Sequence, residues 1–243
     1  MWFVPYLRVR RAVITYALIA AGVSLAAIAV HGMSSAVVVN GQPVHLGPVG
    51  FSMLFSGSVA LVGGLATVLG LNLAAENDGH LEVAWTKPVS REGYALGVFA
   101  VDIAAMAVCI VLTTICMTLV VDIVAGYPAV QLDGGWSMVN DVAYAGFPLC
   151  VYAWIVALSA SLKRNRGTVA AVFWPAMVAL GAIAVLPIPS LHALAPVISL
   201  IDPIIIFTNS AAAPTPTATY LWGWGLAAVL LVAGVVQWRR LEM

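Results

Sequence analysis

Six apolar runs, at 12–30, 49–73, 94–121, 139–162, 168–186 and 220–238, take up most of this chain. Each has the length needed to cross the hydrocarbon core of a bilayer, which takes about 20 residues of helix. A backbone in lipid must satisfy its own hydrogen bonds, so runs of this length read as helices and not as open sheet. Composition agrees: 8% of the residues are charged, against about 25% in a soluble domain. The chain reads as an all-α integral membrane protein, one transmembrane domain over 1–243, with lipid as the solvent for most of its surface.

The basic residues test that count. They are Arg8, Arg10, Arg11, Lys87, Arg91, Lys163, Arg164, Arg166, Arg239 and Arg240. With six spans all of them fall on one side, and the three opposite loops have none. Gaining or losing a span would scatter them. This is a complete positive-inside pattern, which predicts both termini on the cytoplasmic side of the inner or plasma membrane. Formal net charge is zero, which gives no case for a nucleic-acid partner. Ala27-Ile28-Ala29 after the N-terminal arginines has the small-residue pattern of a signal cleavage site. The apolar run before it is long for a signal core, so it reads as a retained first span. Residues 1–11 mix Trp2, Phe3, Tyr6 and Leu7 with arginines, as a short amphipathic piece at the inner interface or a basic tail would.

Chemistry-bearing motifs are few. No phosphate-binding G-x-x-x-x-G-K-[ST], G-x-S-x-G or H-E-x-x-H occurs, so the chain has no nucleotide site of its own and does not read as an enzyme. His31, His45, His80 and His192 are scattered over loops without ligand spacing, and no metal or cofactor is expected on this chain. Cys109, Cys116 and Cys150 lie in apolar runs and read as small hydrophobes. Asp102 sits about nine residues inside the third span. An acid at that depth is costly, and faces either a water-filled path or a hydrogen-bonding neighbour. Thr113, with Thr114 and Thr118, either adds polarity to such a path or bonds back to its own helix. Asp122, Asp141 and Asp202 lie nearer the outer boundary, where water could reach them. In the second span, Ser52, Ser56, Ala60 and Gly64 form a small-residue stripe that allows close helix approach, within the subunit or between two copies. Residues 187–219 hold six prolines around Val197 to Phe207. That apolar piece is too short to span and is broken by Asp202-Pro203. It predicts short helices that dip into the outer leaflet and return.

The longest polar interruption is Glu76 to Gly97, ENDGHLEVAWTKPVSREGYALG. A short helix from about Asp78 to Trp85 would place Leu81 and Trp85 on one face. Gly79 permits a tight turn. Pro88 ends the helix and stiffens the exit. Lys87 and Arg91 can bind lipid phosphates or a partner's carboxylates.

These residues carry a resemblance. Glu76-Asn77-Asp78-Gly79-His80-Leu81-Glu82, followed by Thr86-Lys87-Pro88-Val89-Ser90-Arg91, is similar to the inner loop of ABC-2 type transporter permeases. There an acid, a Gly and Leu-Glu lead to Pro-Val-Ser-Arg before the third span. His80 departs from the Thr or Ser commoner in the family. The six spans, cytoplasmic ends and broken outer segment match the family layout. The resemblance implies a permease subunit of an exporter for a hydrophobic or amphipathic substrate. A second permease copy would complete the pathway, with the first, second and fifth spans near the seam. A separate ABC ATPase, carrying ATP and Mg, would dock on a cytoplasmic coupling helix. The coupling residues would then be Glu76, Asp78, Gly79, Leu81, Glu82, Trp85, Lys87, Pro88 and Arg91, with Asp102 and Thr113 along the pathway. Two other readings use the same residues: a stand-alone channel or ion-coupled carrier with Asp102 as its ion site, and an intramembrane enzyme or assembly factor built on Asp102 and Asp141.

Overall fold

A computed structural model describes residues 3–33, 38–39, 42–43, 48–76, 91–132, 137–161, 166–186, 192–208 and 216–240. In chain order the elements are α1 (Phe3–Met33), β1 (Val38–Val39), β2 (Gln42–Pro43), β3 (Val49–Gly50), α2 (Phe51–Glu76), α3 (Arg91–Ala125) and β4 (Val130–Gln131). Then come α4 (Met138–Tyr144), α5 (Gly146–Ser161), α6 (Arg166–Val185), a 3-10 turn (His192–Leu194), α7 (Ala195–Ile201), α8 (Pro203–Thr208) and α9 (Pro216–Arg240). Six segments are long and apolar enough to cross a membrane: Val9–Ala29, Phe51–Leu71, Gly93–Ala125, Met138–Ser159, Gly167–Val185 and Thr217–Gln237. The architecture is that of an all-α multi-pass membrane protein.

The helices start and stop where the polar sequence begins. The basic N-terminal piece does not form a separate element; it runs without a break into the first span as α1. Helix α3 holds 35 residues, about 52 Å of helix against a hydrocarbon core of about 30 Å, more than a perpendicular crossing needs. At its far end Gly126 takes a positive φ of 75°, which suits glycine and turns the chain. Asp122 fastens that turn: its Oδ1 accepts from the amides of Ala129 at 2.8 Å and Val130 at 3.3 Å. β4 then pairs in parallel with β3, Val49 opposite Val130 and Gly50 opposite Gln131. β1 pairs antiparallel with β2. Asp122 is thus a loop anchor.

Helix α5 is the centre of the bundle. Its main neighbours are α9 and α2; α2 also packs on α3, and α3 on α1. Cys150, Val151, Tyr152, Ala153 and Ile155 of α5 are fully buried. Helix α1 lies at the edge: beyond Val9 its described side chains are all half-buried or exposed. Lipid tails are as apolar as leucine, so close packing must draw the helices together. Glycines make room for it. A Cβ on Gly63 of α2 would meet Phe147 at 2.8 Å, one on Gly70 would meet Ile155 at 2.8 Å, and one on Gly234 of α9 would meet Val156 at 2.9 Å.

Those contacts decide which face of α2 points inward. Val59, Val62, Ala66 and Leu69 are fully buried with them. The stripe singled out in the sequence lies on another face: Ala60 and Gly64 are exposed, and nothing lies within 4 Å of a Cβ on Gly64. Packing within the subunit therefore uses Gly63 and Gly70 and leaves the Ala60–Gly64 side of the stripe open.

The fourth apolar run, read as continuous over 139–162, is divided at Ala145 into α4 and α5. Pro148 explains the division. It has no amide hydrogen, and its ring crowds the carbonyl one turn earlier, that of Tyr144.

Candidate functional site

The connector proposed for coupling leaves α2 at Glu76 and enters α3 at Arg91. Asp78, Gly79, Leu81, Glu82, Trp85, Lys87 and Pro88, and with them the expected short helix, lie outside the described residues. Helices α2 and α3 pack along each other, so the connector joins two helices already in contact.

Inside the bundle, α3 carries a buried polar edge. Asp102, Met106, Cys109 and Thr113 recur at helical spacing and are 0%, 3%, 0% and 3% exposed. Asp102 and Thr113 are eleven residues apart, about 16 Å along the axis and about three turns, so they share a face. Asp102 meets α5, where the Tyr152 hydroxyl donates to its Oδ2 at 2.6 Å. The Tyr152 ring stands edge-on to Phe99 at 6.1 Å. A phenol donating to a buried carboxyl oxygen makes a strong hydrogen bond in a dry interior. Thr113 meets α1. Its hydroxyl donates to the Cys109 carbonyl at 2.7 Å, which commits its one proton. The Tyr16 hydroxyl, 2.8 Å away, is therefore the donor to Thr113 Oγ1. Thr114 also bonds back, to the Ile110 carbonyl at 2.9 Å.

Two tyrosines thus serve the two polar residues read from the sequence, and neither tyrosine was singled out there. Their signal was present: a tyrosine in mid-span brings a hydroxyl that needs a partner. Tyr152→Phe should leave the bundle folded but cost about 1–3 kcal/mol, because a buried acceptor loses its donor. Asp102→Asn, which keeps an acceptor for Tyr152, should cost less. Thermal unfolding of the purified variants checks the order; equal loss in both would remove the phenol–carboxylate bond from the account.

The far end of the bundle, opposite the basic residues, is held by indole groups. A helix that stops in an apolar setting leaves its last carbonyls without donors. Trp154 of α5 donates Nε1–H to the Ile201 carbonyl at 3.0 Å, and Trp222 of α9 donates to the Leu200 carbonyl at 2.8 Å. Both carbonyls belong to the end of α7. Trp224 donates to the Ala143 carbonyl at 2.8 Å, beside the α4–α5 break. Around them Phe207 stacks on Tyr220 with centroids 5.6 Å apart, and Tyr144 and Phe147 meet Phe207 edge-on.

Asp202 corrects the sequence reading. Its place near the outer boundary leaves hydration open to it, yet it is fully buried at the break between α7 and α8. Among the described residues no group of His, Cys, Asp and Glu is arranged to hold a metal ion. Comparison with known protein families, with curated proteins and with solved structures returns no match.

Proposed function

We propose that this chain is the membrane-spanning permease subunit of an ATP-binding-cassette exporter, moving a hydrophobic or amphipathic compound outward. The observation that carries the reading is the position of the ENDGHLEVAWTKPVSR sequence. It resembles the ABC-2 inner loop and bridges the ends of α2 and α3, two packed helices of a six-span bundle. A push on that bridge would move both helices together. In this reading the basic ends of the helices face the cytoplasm. The short helices α7 and α8 dip into the outer leaflet, with the indole bonds of Trp154 and Trp222 covering their loose carbonyls. A second copy of the chain, or a close relative, completes the pathway. The open side of the α2 stripe at Ala60 and Gly64 suits such an approach. ATP and Mg are bound by a separate ATPase subunit, since this sequence has no phosphate-binding loop.

One observation favours a second reading, an ion-coupled carrier working alone: Asp102 is buried among α3 and α5 with Tyr152 bonded to it. The two readings separate in one experiment. The chain is reconstituted in proteoliposomes with and without a candidate ABC ATPase from the same cell, and efflux of a panel of amphipathic dyes is followed. Efflux that requires both the ATPase and ATP is expected. Efflux by the chain alone, driven by a proton or sodium gradient, would overturn the exporter reading.

A further inference from the structure

Asp202 is where one helix ends and the next begins. Its amide donates to the Ile198 carbonyl at 2.9 Å, closing α7. Its carbonyl accepts from the Ile206 amide at 2.9 Å, and its Oδ1 from the Ile204 amide at 2.8 Å, opening α8. Pro203 brings no amide hydrogen to the first position of α8, where none is needed. Every one of those backbone groups is used. Oδ2 is not: it is buried, and among the described residues it has no hydrogen-bond partner. It faces α6, where a Cβ on Gly181 would stand 3.5 Å from it.

A buried carboxylate needs a cation or a proton. Among the described residues no cation stands there. No Lys or Arg occurs between residues 167 and 238. Arg166 is about 22 Å along α6 from Gly181, and Arg239 about 28 Å along α9 from Tyr220. His192, in the turn before α7, is separated from Asp202 by the whole of that helix. The remaining neighbours do not supply positive charge. The Cys150 thiol of α5 interacts with Asp202 electrostatically. Tyr152 is spent on Asp102, and Tyr144 and Tyr220 pack on Phe207. Neither α7 nor α8 carries another charged side chain. Burial pushes the Asp202 carboxyl up from the usual carboxylate range, against the opposing pull of the Ile204 and Ile205 amides.

We propose that Asp202 is a proton-binding latch: its protonated side chain lets the α7–α8 hairpin pack against Gly181 of α6, and loss of the proton releases the hairpin. The neutral acid is tolerable beside Ile205, Ile206 and Phe207, which are 5%, 1% and 1% exposed. The charged form must reach water, and the one-residue break at Asp202 is where the chain can give. The sign follows from linkage. The packed hairpin holds the proton more tightly than the released one, so packing is fully favoured below the ordinary carboxylate pKa. It is lost progressively as pH rises through the higher value of the packed state.

The test uses the full chain in phosphatidylcholine nanodiscs. Deuterium exchange of the amides of Ile204 to Thr208, corrected for the intrinsic effect of pH, reports opening of the hairpin. In the wild type the opening constant is expected to rise by up to about tenfold per pH unit above about pH 4, then level off. Asp202→Asn, a permanently neutral mimic, should stay closed at every pH. Infrared spectra should show a protonated-carboxyl band that Asp202→Asn removes and Asp102→Asn does not. Gly181→Ser places a hydroxyl beside Oδ2 and should move the levelling point to lower pH, whereas Gly181→Ala, without the donor, should not. That pair carries the test even where Asp202→Asn fails to fold. Opening that ignores pH in the wild type, or follows pH equally in Asp202→Asn, overturns the latch. So does a carboxyl band that survives in Asp202→Asn, or equal titrations in Gly181→Ser and Gly181→Ala.

Discussion

Gly70→Leu is expected to force α2 away from α5 and to cost about 1–3 kcal/mol or more, the range for overpacking a tight interior. A Cβ at this position would already stand 2.8 Å from Ile155 Cγ2, 3.0 Å from its Cβ and 3.3 Å from the Tyr152 carbonyl oxygen. The last of these is backbone and cannot swing aside. The α2–α5 contact is central, because α5 also carries α9 and α2 also carries α3. Displacing α2 would therefore disturb the Asp102–Tyr152 bond as well. Ile155→Ala in the same chain removes the nearest of the three clashing atoms, Cγ2, and should recover part of the loss. Coupled neighbours of this kind interact by about 0.5–3 kcal/mol. Gly64→Leu, on the same helix with nothing within 4 Å, should leave the monomer's melting point close to wild type. Thermal unfolding in detergent, read by size exclusion, makes the comparison. A Gly70→Leu chain that melts with the wild type, or a Gly64→Leu chain that melts far below it, would mean the inward face of α2 has been misplaced.

In the proposed exporter reading, Glu76→Ala together with Arg91→Ala should reduce export at least about tenfold, the effect of losing roughly 1.4 kcal/mol of coupling, while membrane insertion and ATP hydrolysis by the proposed partner persist. The reasoning is mechanical. Helix α2 ends at Glu76 and α3 begins at Arg91, so both changes fall at the joints where a push on the connector enters the bundle. Neither change touches the apolar runs that insert into the bilayer, which is why insertion should survive. Transport at the wild-type rate in the double variant would end the coupling role of these two residues and leave the connector an ordinary polar loop.

How much could be read before the fold was known differs from residue to residue. Asp102 and Thr113 stand out in a sequence because a polar side chain inside an apolar run is an energetic anomaly. Tyr152 and Tyr16 do not, because the ring belongs in lipid and only the hydroxyl needs a partner. Asp202 was visible as a helix breaker beside Pro203, yet its burial was not. Whether an acid at a span's edge meets water depends on what the neighbouring helices lay over it, and here Gly181 of α6 lies against it. The stripe on α2 teaches the same lesson. Small residues at helical spacing mark a face fit for close approach, and Gly63 and Gly70 compete with Ala60 and Gly64 for that role on one helix. Only the bulk of Phe147 and Ile155 on α5 settles which pair is used.

The amino-acid order alone determined the six crossings and their shared charge asymmetry, because a bilayer of fixed thickness and a backbone that must bond to itself leave a long apolar run no other structure. Tertiary structure decided which polar atoms meet, which face of each helix is covered and which acid is left with an unpartnered oxygen. Those outcomes come from side chains distant in the chain competing for the same few ångströms of space, and periodicity along one helix carries no record of its neighbour.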